Sequence, residues 1–458
     1  MNKESTILIQ GGTVVTSQRA FEQDVWIRGE HIEAVEHVSG RQADRIIPAS
    51  GMLVLPGAVD THVHFNDEFM NTVSVHDYFS GTRAAAFGGV TSIVDFANQS
   101  SEGTLQEAFE SKKEEARGKA LIDWGIHPVI TRTDEKTLSE IPALIEKGAP
   151  TFKCYLTYRQ EGLMVEEEGL RSILDILRSS GGMLLVHAED NDTVESGVAR
   201  MLDKGLTRPI HHARSRPPEA ENKAIRRCIK AAQDTGGRLF IVHMATGKGI
   251  KMVEEGRNKG VNVAAETCTH YLIFTEEKLK REDGIKWICS PPLRKKSIQK
   301  KLWKGVRDGS LAMVTSDDAA YSWQAKRMGS DRFDRCPNGI PGIEVRLPLL
   351  YSEGVKKRGM DLPRLAELTS STPARLFGLP QKGRLEAGAD ADVVIFDPDA
   401  EWTMNSSSLH MAPDWAAYEG IKVTGKVRKV ISRGELIFDE GKIQAEKGRG
   451  RYLFRKLD

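Results

Sequence analysis

The 458-residue chain is 40% hydrophobic and 28% charged, an ordinary globular composition with room for one or two domains. Its 65 basic residues are balanced by 64 acidic ones, which leaves no field for holding a polyanion and argues against nucleic acid as the main partner. Five cysteines without a CxxC pair point to a reducing cytoplasm, and the lack of a signal-like segment or of an apolar run of about eighteen residues argues against a membrane.

In chain order, residues 6–54 read as short half-buried strands, "TILIQGGTVVT", "DVWIRGE", "HIEAVEH" and "GMLVLPG". The same pattern returns in "ADVVIFDP" and in 426–442, where Arg433 and Gly434 mark a hairpin turn. The two chain ends are therefore predicted to meet in one small β-sandwich domain, 1–54 with 381–458. Between them, over 55–380, apolar runs at 53–60, 90–96, 121–130, 151–157, 183–187, 238–243, 261–268 and 311–316 alternate with charged helical stretches. Among the latter are "TLQEAFESKKEEARGKA", "EEEGLRSILDILRSS" and "AENKAIRRCIKAAQDTG". Eight β-then-α units predict a (β/α)8 TIM-like barrel. A doubly wound open sheet is disfavoured because no GxGxxG follows the first strand. The basic run "RKKSIQKKLWK" reads as a solvated helix face.

Catalytic side chains of such a barrel sit at the C-terminal ends of its strands. There the sequence places His62 and His64 ("VDTHVHFND"), Lys153 ("TFKCYLTY"), His187 ("LLVHAED"), His243 ("LFIVHMA") and Asp317 ("AMVTSDDAA"). Each has a plainer reading: a strand-end histidine is often structural, and an aspartate after a strand is commonly a helix N-cap. Together they predict a metal centre. The spacing of two puts His62 and His64 on one face of an extended chain. Imidazole and carboxylate donors suit zinc first, with manganese or cobalt as alternatives. Six candidate ligands serve two ions, with His62 and His64 on one, His187 and His243 on the other, and Asp317 beside the first. His127, assigned to strand three, His270, and His211 and His212, assigned to a loop, are left outside this shell.

Lys153 is the anomaly, since a lysine is seldom fully buried without a partner. Beside two divalent ions its ammonium would be strongly repelled. It must be neutral, turned away or converted, and a neutral amine can take up CO2 as a carbamate with two oxygens. With "PGAVDTHVHFND", "GTRAAAFGGVTSIVDF", "TFKCYLTY", "LLVHAED", "ETCTHYL", "CSPPLR", "TSDDAA", "NGIPGIE" and "GRLEAGADADVVIFDP" in order along its length, the chain resembles a cyclic amidohydrolase of the hydantoinase/dihydropyrimidinase family, related to allantoinase and dihydroorotase. The resemblance implies a carboxylated Lys153 bridging two zinc ions held by His62, His64, His187, His243 and Asp317. It implies an oxyanion donor in Tyr158, and a clamp on the ring's CO–NH edge from backbone groups of Ser290 and Asn338. Without it, Tyr158 would equally be a packing residue and the other two ordinary turn residues. In the chemistry that follows, a metal-bridging hydroxide attacks the amide carbonyl, and Asp317 takes the proton and delivers it to the leaving nitrogen.

Asn66 stands where dihydroorotases usually carry a carboxylate-gripping arginine, which disfavours a carboxylate substrate, and the following run resembles hydantoinases rather than allantoinases. Asp318 stands where the family often has histidine. Phe65, Phe69, Met70, Phe152 and Tyr155 could line an apolar pocket or belong to the core. The chain looks most like a bacterial L-hydantoinase, which implies opening of 5-monosubstituted hydantoins, small cyclic ureides, to N-carbamoyl amino acids. The alternatives are allantoinase, dihydropyrimidinase or a non-catalytic dihydropyrimidinase-related assembly protein, the last disfavoured because all six ligand positions are occupied. The family implies a homotetramer.

Overall fold

The computed structural model describes residues 5–37 and 40–458. Eight strands, Ala58–Val63, Val90–Asn98, Asp123–Val129, Thr151–Tyr155, Met183–His187, Arg238–Ile241, Val263–Cys268 and Met313–Thr315, pair in chain order. Every pairing is parallel. A parallel bridge from Val63 to Asp318 closes the ring, and the His64 N–H donates to the Asp318 carbonyl at 2.9 Å. Most of these strands are buried at every residue, which is why they appear in the sequence as unbroken apolar runs rather than alternating ones.

The helices between them follow local rules. Leu105–Ala116 opens with a capping box, in which the Glu107 N–H donates to Thr104 Oγ1 and the Thr104 N–H to Glu107 Oε2. Glu167–Ser180 buries Leu170, Ile173, Leu174 and Leu177, the one-face spacing of an amphipathic helix. Pro218–Thr235 starts on proline and ends against Gly236 at φ 74°, a left-handed conformation that glycine adopts without a steric penalty. Of the basic run, Lys296–Lys304 lies in helix Lys296–Asp308, whereas Arg294 precedes it and is buried in an ion pair with Glu221 at 3.3 Å rather than solvated.

The chain ends do meet. Leu53–Pro56 pairs antiparallel with Val393–Phe396 inside a nine-stranded mixed sheet that also holds Thr6–Val15, Ala20–Arg28, Lys422–Ser432 and Glu435–Asp439. Its core of Ile7, Ile9, Val25, Ile27, Val393 and Ile395 is separate from that of the barrel. The hairpin turns at Arg433 (φ 43°) and Gly434 (φ 70°), as its sequence predicts.

Two details differ from the sequence reading. The run 53–60 is two strands, one in each sheet, because the chain breaks at Gly57. A Cβ there would lie 2.2 Å from Thr91 Oγ1 and 2.9 Å from Asp392 Cβ, so only glycine lets the two sheets approach. The final residues leave the end sheet and cross the N-terminal mouth of the barrel. There the Leu453 N–H donates to the Trp124 carbonyl at 2.7 Å, and the buried Arg455 donates to Thr151 Oγ1 at 2.7 Å and to the Ile126 carbonyl. Among the described residues no helix is long and apolar enough to cross a membrane, and all five cysteines are free and buried.

Candidate active site and metal centre

The open end of the barrel gathers the strand-end residues around one cavity. His64, Lys153, His187, His243 and Asp317 line it together with Tyr158, Ser290 and Asn338, and His62 lies just beneath. His62, His64 and Asp317 bring their donor atoms within 4.8 Å of one another. The His62 and His64 Nε2 atoms stand 3.1 and 3.5 Å from Asp317 Oδ1. The His187 and His243 rings meet edge-on with centroids 4.5 Å apart, and His243 is 5.5 Å from His62. Lys153 is buried on strand four with Nζ over the rings of Phe96 and Tyr155 at 4.8 and 5.0 Å. Asp317 (φ 48°), His243 (φ 39°) and Tyr158 (φ 66°) are left-handed without being glycine, a strain that the surrounding packing must hold in place.

Carboxylates behind the imidazoles set their direction. Glu266 Oε1 holds His62 Nδ1 at 2.5 Å and also accepts the backbone N–H of His243 at 3.3 Å. Asp67 holds His64 Nδ1 at 2.8 Å. Glu189 holds His187 Nε2 at 2.8 Å and is itself paired with buried Arg216 at 2.6 Å. A carboxylate on one imidazole nitrogen leaves the other free as a lone-pair donor, the usual arrangement behind a metal-bound histidine. The residues fit a divalent cation on a direct observation: His243 Nδ1 is buried and has no hydrogen-bond partner among the described residues, a cost that a coordinate bond would remove.

The charge distribution agrees. Burial alone would lower the His64 pKa, but hydrogen bonds to Asp317 and Asp67 carry it up to about 9. Burial likewise opposes ionisation of Asp317, yet His62 and His64 hold it well below the usual carboxylate range. The field that keeps a proton on His64 is one that a cation would also answer. Burial takes His187 down to about 4 despite Glu189, and takes His243 well below its ordinary value, so both are neutral donors. Burial pushes Lys153 down to about 8.

On the substrate side, the Asn338 amide donates to the Tyr158 hydroxyl at 3.3 Å, and the Tyr158 ring packs edge-on against Phe69 at 5.1 Å. Phe69 and Tyr155 line the cavity with Leu163 and Tyr321, and Met70 lines an adjoining cavity of about 340 Å³. Phe65 and Phe152 are core residues, fully buried within the main hydrophobic cluster.

The four histidines set outside the shell, His127, His211, His212 and His270, have partners of their own or lie beside it. His127 is bound to Thr151 Oγ1 at 2.7 Å and the Thr61 carbonyl at 3.1 Å, deep in the barrel. His211 and His212 lie on the short helix Ile210–Ser215 rather than in a loop, because the His211 N–H closes a turn on the Arg208 carbonyl at 2.8 Å. His212 Nε2 sits 3.2 Å from Ser290 Oγ and 2.9 Å from the Cys289 carbonyl, so it supports the Ser290 segment. His270, with Cys268, comes close enough to Asp317 to form a second cluster of possible donors. The sequence reading gave no role to Glu266, Asp67, Glu189 or Arg216. Glu266 could have been found, since it occupies a barrel strand near its C-terminal end within "ETCTHYL".

Residues 53–437 match the family model described as Amidohydrolase family. The chain is 40% identical to a D-phenylhydantoinase of Escherichia coli O1:K1 / APEC, over 98% of each protein. It is 37% identical to a D-hydantoinase of Geobacillus stearothermophilus, over 98% of this chain and 96% of that one. The crystal structure of a dihydropyrimidinase from Brevibacillus agri NCHU1002 superimposes with a TM-score of 0.97 at 37% identity, covering 99% of both chains. An L-hydantoinase (dihydropyrimidinase) from Arthrobacter aurescens superimposes with a TM-score of 0.90 at 26% identity, covering 98% of this chain and 99% of that one. The L preference implied by the motifs thus finds no support among the more similar relatives.

Proposed function

This chain belongs to the amidohydrolase family and is a hydrolase of cyclic amide C–N bonds, and from that premise we propose that it opens 5-monosubstituted hydantoins to N-carbamoyl amino acids. The observation that carries this reading is the single cavity in which the His62–His64–Asp317 cluster stands beside Lys153, His187 and His243 and opposite Tyr158, Ser290 and Asn338. The names of the D-hydantoinase and D-phenylhydantoinase relatives support a D preference.

In this reading His62, His64 and Asp317 would hold one divalent ion, zinc first with manganese or cobalt as alternatives, and His187 and His243 a second. Lys153, carboxylated by CO2, would complete the set of residues that holds them. Bound there, the two ions would supply Lewis-acid polarisation of the ring carbonyl and lower the pKa of the attacking water. Asp317, kept ionised by its histidines, takes the proton of that water and returns it to the leaving ring nitrogen. Tyr158 offers its hydroxyl to the developing oxyanion, an orientation supported by its contact with Asn338. Backbone groups of Ser290 and Asn338 hold the CO–NH edge of the ring, and Phe69 and Tyr155 give its 5-substituent an apolar wall.

A dihydropyrimidinase reading is kept as the second, because a structure of that name superimposes so closely. A homotetramer in the cytoplasm belongs to the same proposal, the latter supported by five unpaired, buried thiols. The test is turnover of both enantiomers of several 5-substituted hydantoins beside dihydrouracil and allantoin, with metal content measured on the same sample. Faster opening of the D enantiomers is expected, and hydrolysis of allantoin alone would sink the reading.

A further inference from the structure

Asp318, the residue after Asp317, does not line the cavity and touches the proposed ligands only through its backbone, which accepts the His64 N–H at 2.9 Å, yet three segments that shape the site converge on it. Its backbone closes the barrel through Val63 and bridges Ile340. Its Oδ1 accepts the N–H groups of Gly342 at 2.6 Å and Ile343 at 3.0 Å, tying down the loop that begins at Asn338. Its Oδ2 faces His76 Nε2 at 3.7 Å.

His76 ends the cap formed by residues 66–77, which carries Asp67 and Phe69 over the cavity. The His76 carbonyl accepts the Asn66 N–H at 2.6 Å, and the neighbouring Val75 N–H donates to the Ala320 carbonyl at 2.7 Å. The His76 and Asp318 side chains are fully buried, and among the described residues neither His76 ring nitrogen nor Asp318 Oδ2 has a hydrogen-bond partner. Burying an imidazole and a carboxylate whose facing atoms are not satisfied is costly, and an apolar pair would fill the same space at less cost. What the polar pair adds is a close contact between the cap and Asp318, at 3.7 Å too long for a hydrogen bond. Through it, the cap, the Asn338 loop and the strand end that presents Asp317 are held to one point.

We propose that Asp318 and His76 are positioning residues for substrate binding: their buried contact locks the 66–77 cap to the 338–343 clamp, fixing the space between Phe69 and Asn338 into which the cyclic amide fits. The proposal rests on the reading of Asn338 as a substrate clamp. It predicts that the pair governs how tightly substrate is held rather than how fast it reacts.

The experiment uses Asp318→Ala, Asp318→Asn, His76→Leu and the Asp318→Asn/His76→Leu double variant. It reads KM and kcat on a hydantoin opened by the wild type, metal content, and amide hydrogen exchange across 66–77 and 338–343. Asp318→Ala removes both anchors and should raise KM about tenfold with kcat within about twofold. Asp318→Asn and His76→Leu each keep the Oδ1 anchor and should raise KM about threefold, with faster exchange in both segments. The double variant should be no worse than either single, since both act on one contact. A fall in kcat at unchanged KM, loss of metal, additive single effects, or exchange altered only in the mutated segment would each overturn the proposal. If Asp318→Ala fails to fold, the two milder variants and their double decide. If the wild type opens no cyclic amide, the functional reading fails by itself, while the coupling of exchange between cap and clamp still decides the role of the pair.

Discussion

Glu266→Gln isolates the contribution of charge behind the metal centre. Glu266 Oε1 stands 2.5 Å from His62 Nδ1, so it orients that imidazole directly, and it accepts the backbone N–H of His243 at 3.3 Å, which ties the end of strand six to the same carboxylate. Glutamine keeps the shape and an acceptor oxygen but removes the charge. A hydrogen bond to a charged group is worth about 1.5–3 kcal/mol and a neutral one about 0.5–1.5 kcal/mol, so the loss at His62 is about 1–1.5 kcal/mol. Since about 1.4 kcal/mol is a factor of ten, metal affinity should fall about tenfold. That lies at the lower end of the roughly 10–100-fold range for groups that orient metal ligands. Glu266→Ala also strands the buried His62 Nδ1 and should approach the upper end, about 100-fold. Competition against a chelator of known affinity, with metal counted on the equilibrated protein and folding checked by thermal melting, measures both. A glutamine variant that binds metal within about twofold of wild type would refute the reasoning.

Lys153→Ala should abolish binding of the two-ion centre, with partial rescue by a short carboxylic acid; retention of both metals and full activity would make the lysine structural. Tyr158→Phe should lower kcat about 100- to 1,000-fold with a smaller effect on KM, as for loss of one oxyanion donor; an unchanged kcat would return Tyr158 to a packing role. Burial raises Glu221 to about 7 against the pull of Arg294, so the native state binds its proton more tightly than the unfolded chain does. Stability therefore falls as pH rises from the unfolded value toward 7, and Glu221→Gln should flatten that decline in denaturant titrations across the window.

How far the sequence could be read follows from the range over which each feature is determined. The barrel strands are buried on both faces and so appear as continuous apolar runs. His62, His64, His187, His243 and Asp317 were legible because a strand's C-terminal end is a property of the local chain. The break at Gly57 was hidden because 53–56 and 58–63 are equally apolar, and only the approach of Thr91 and Asp392 shows why the chain must change sheets. Glu266 is 204 residues from the histidine it orients, and Arg216 acts on His187 only through Glu189. No spacing rule links such pairs. The helix holding His211 and His212 reads as a loop in the sequence because its proline-rich flanks look like turn chemistry.

The charge of the cavity illustrates the same division. Sequence alone marked Lys153 as a cation out of place, but gave no sign that His64 would be shifted the opposite way within the same cavity. Burial takes Lys153 down to about 8, where a neutral amine is accessible at modest cost, while Asp67 and Asp317 overcome burial and carry His64 up to about 9. The two shifts mark one side of the cavity as a seat for positive charge and the other as a place where a lysine readily gives up its own. Two cations with an anionic bridge between them would satisfy both sides at once. In the proposed arrangement His62, His64 and Asp317 would answer the first side, and the neutral pair His187 and His243 would take up the second beside Lys153.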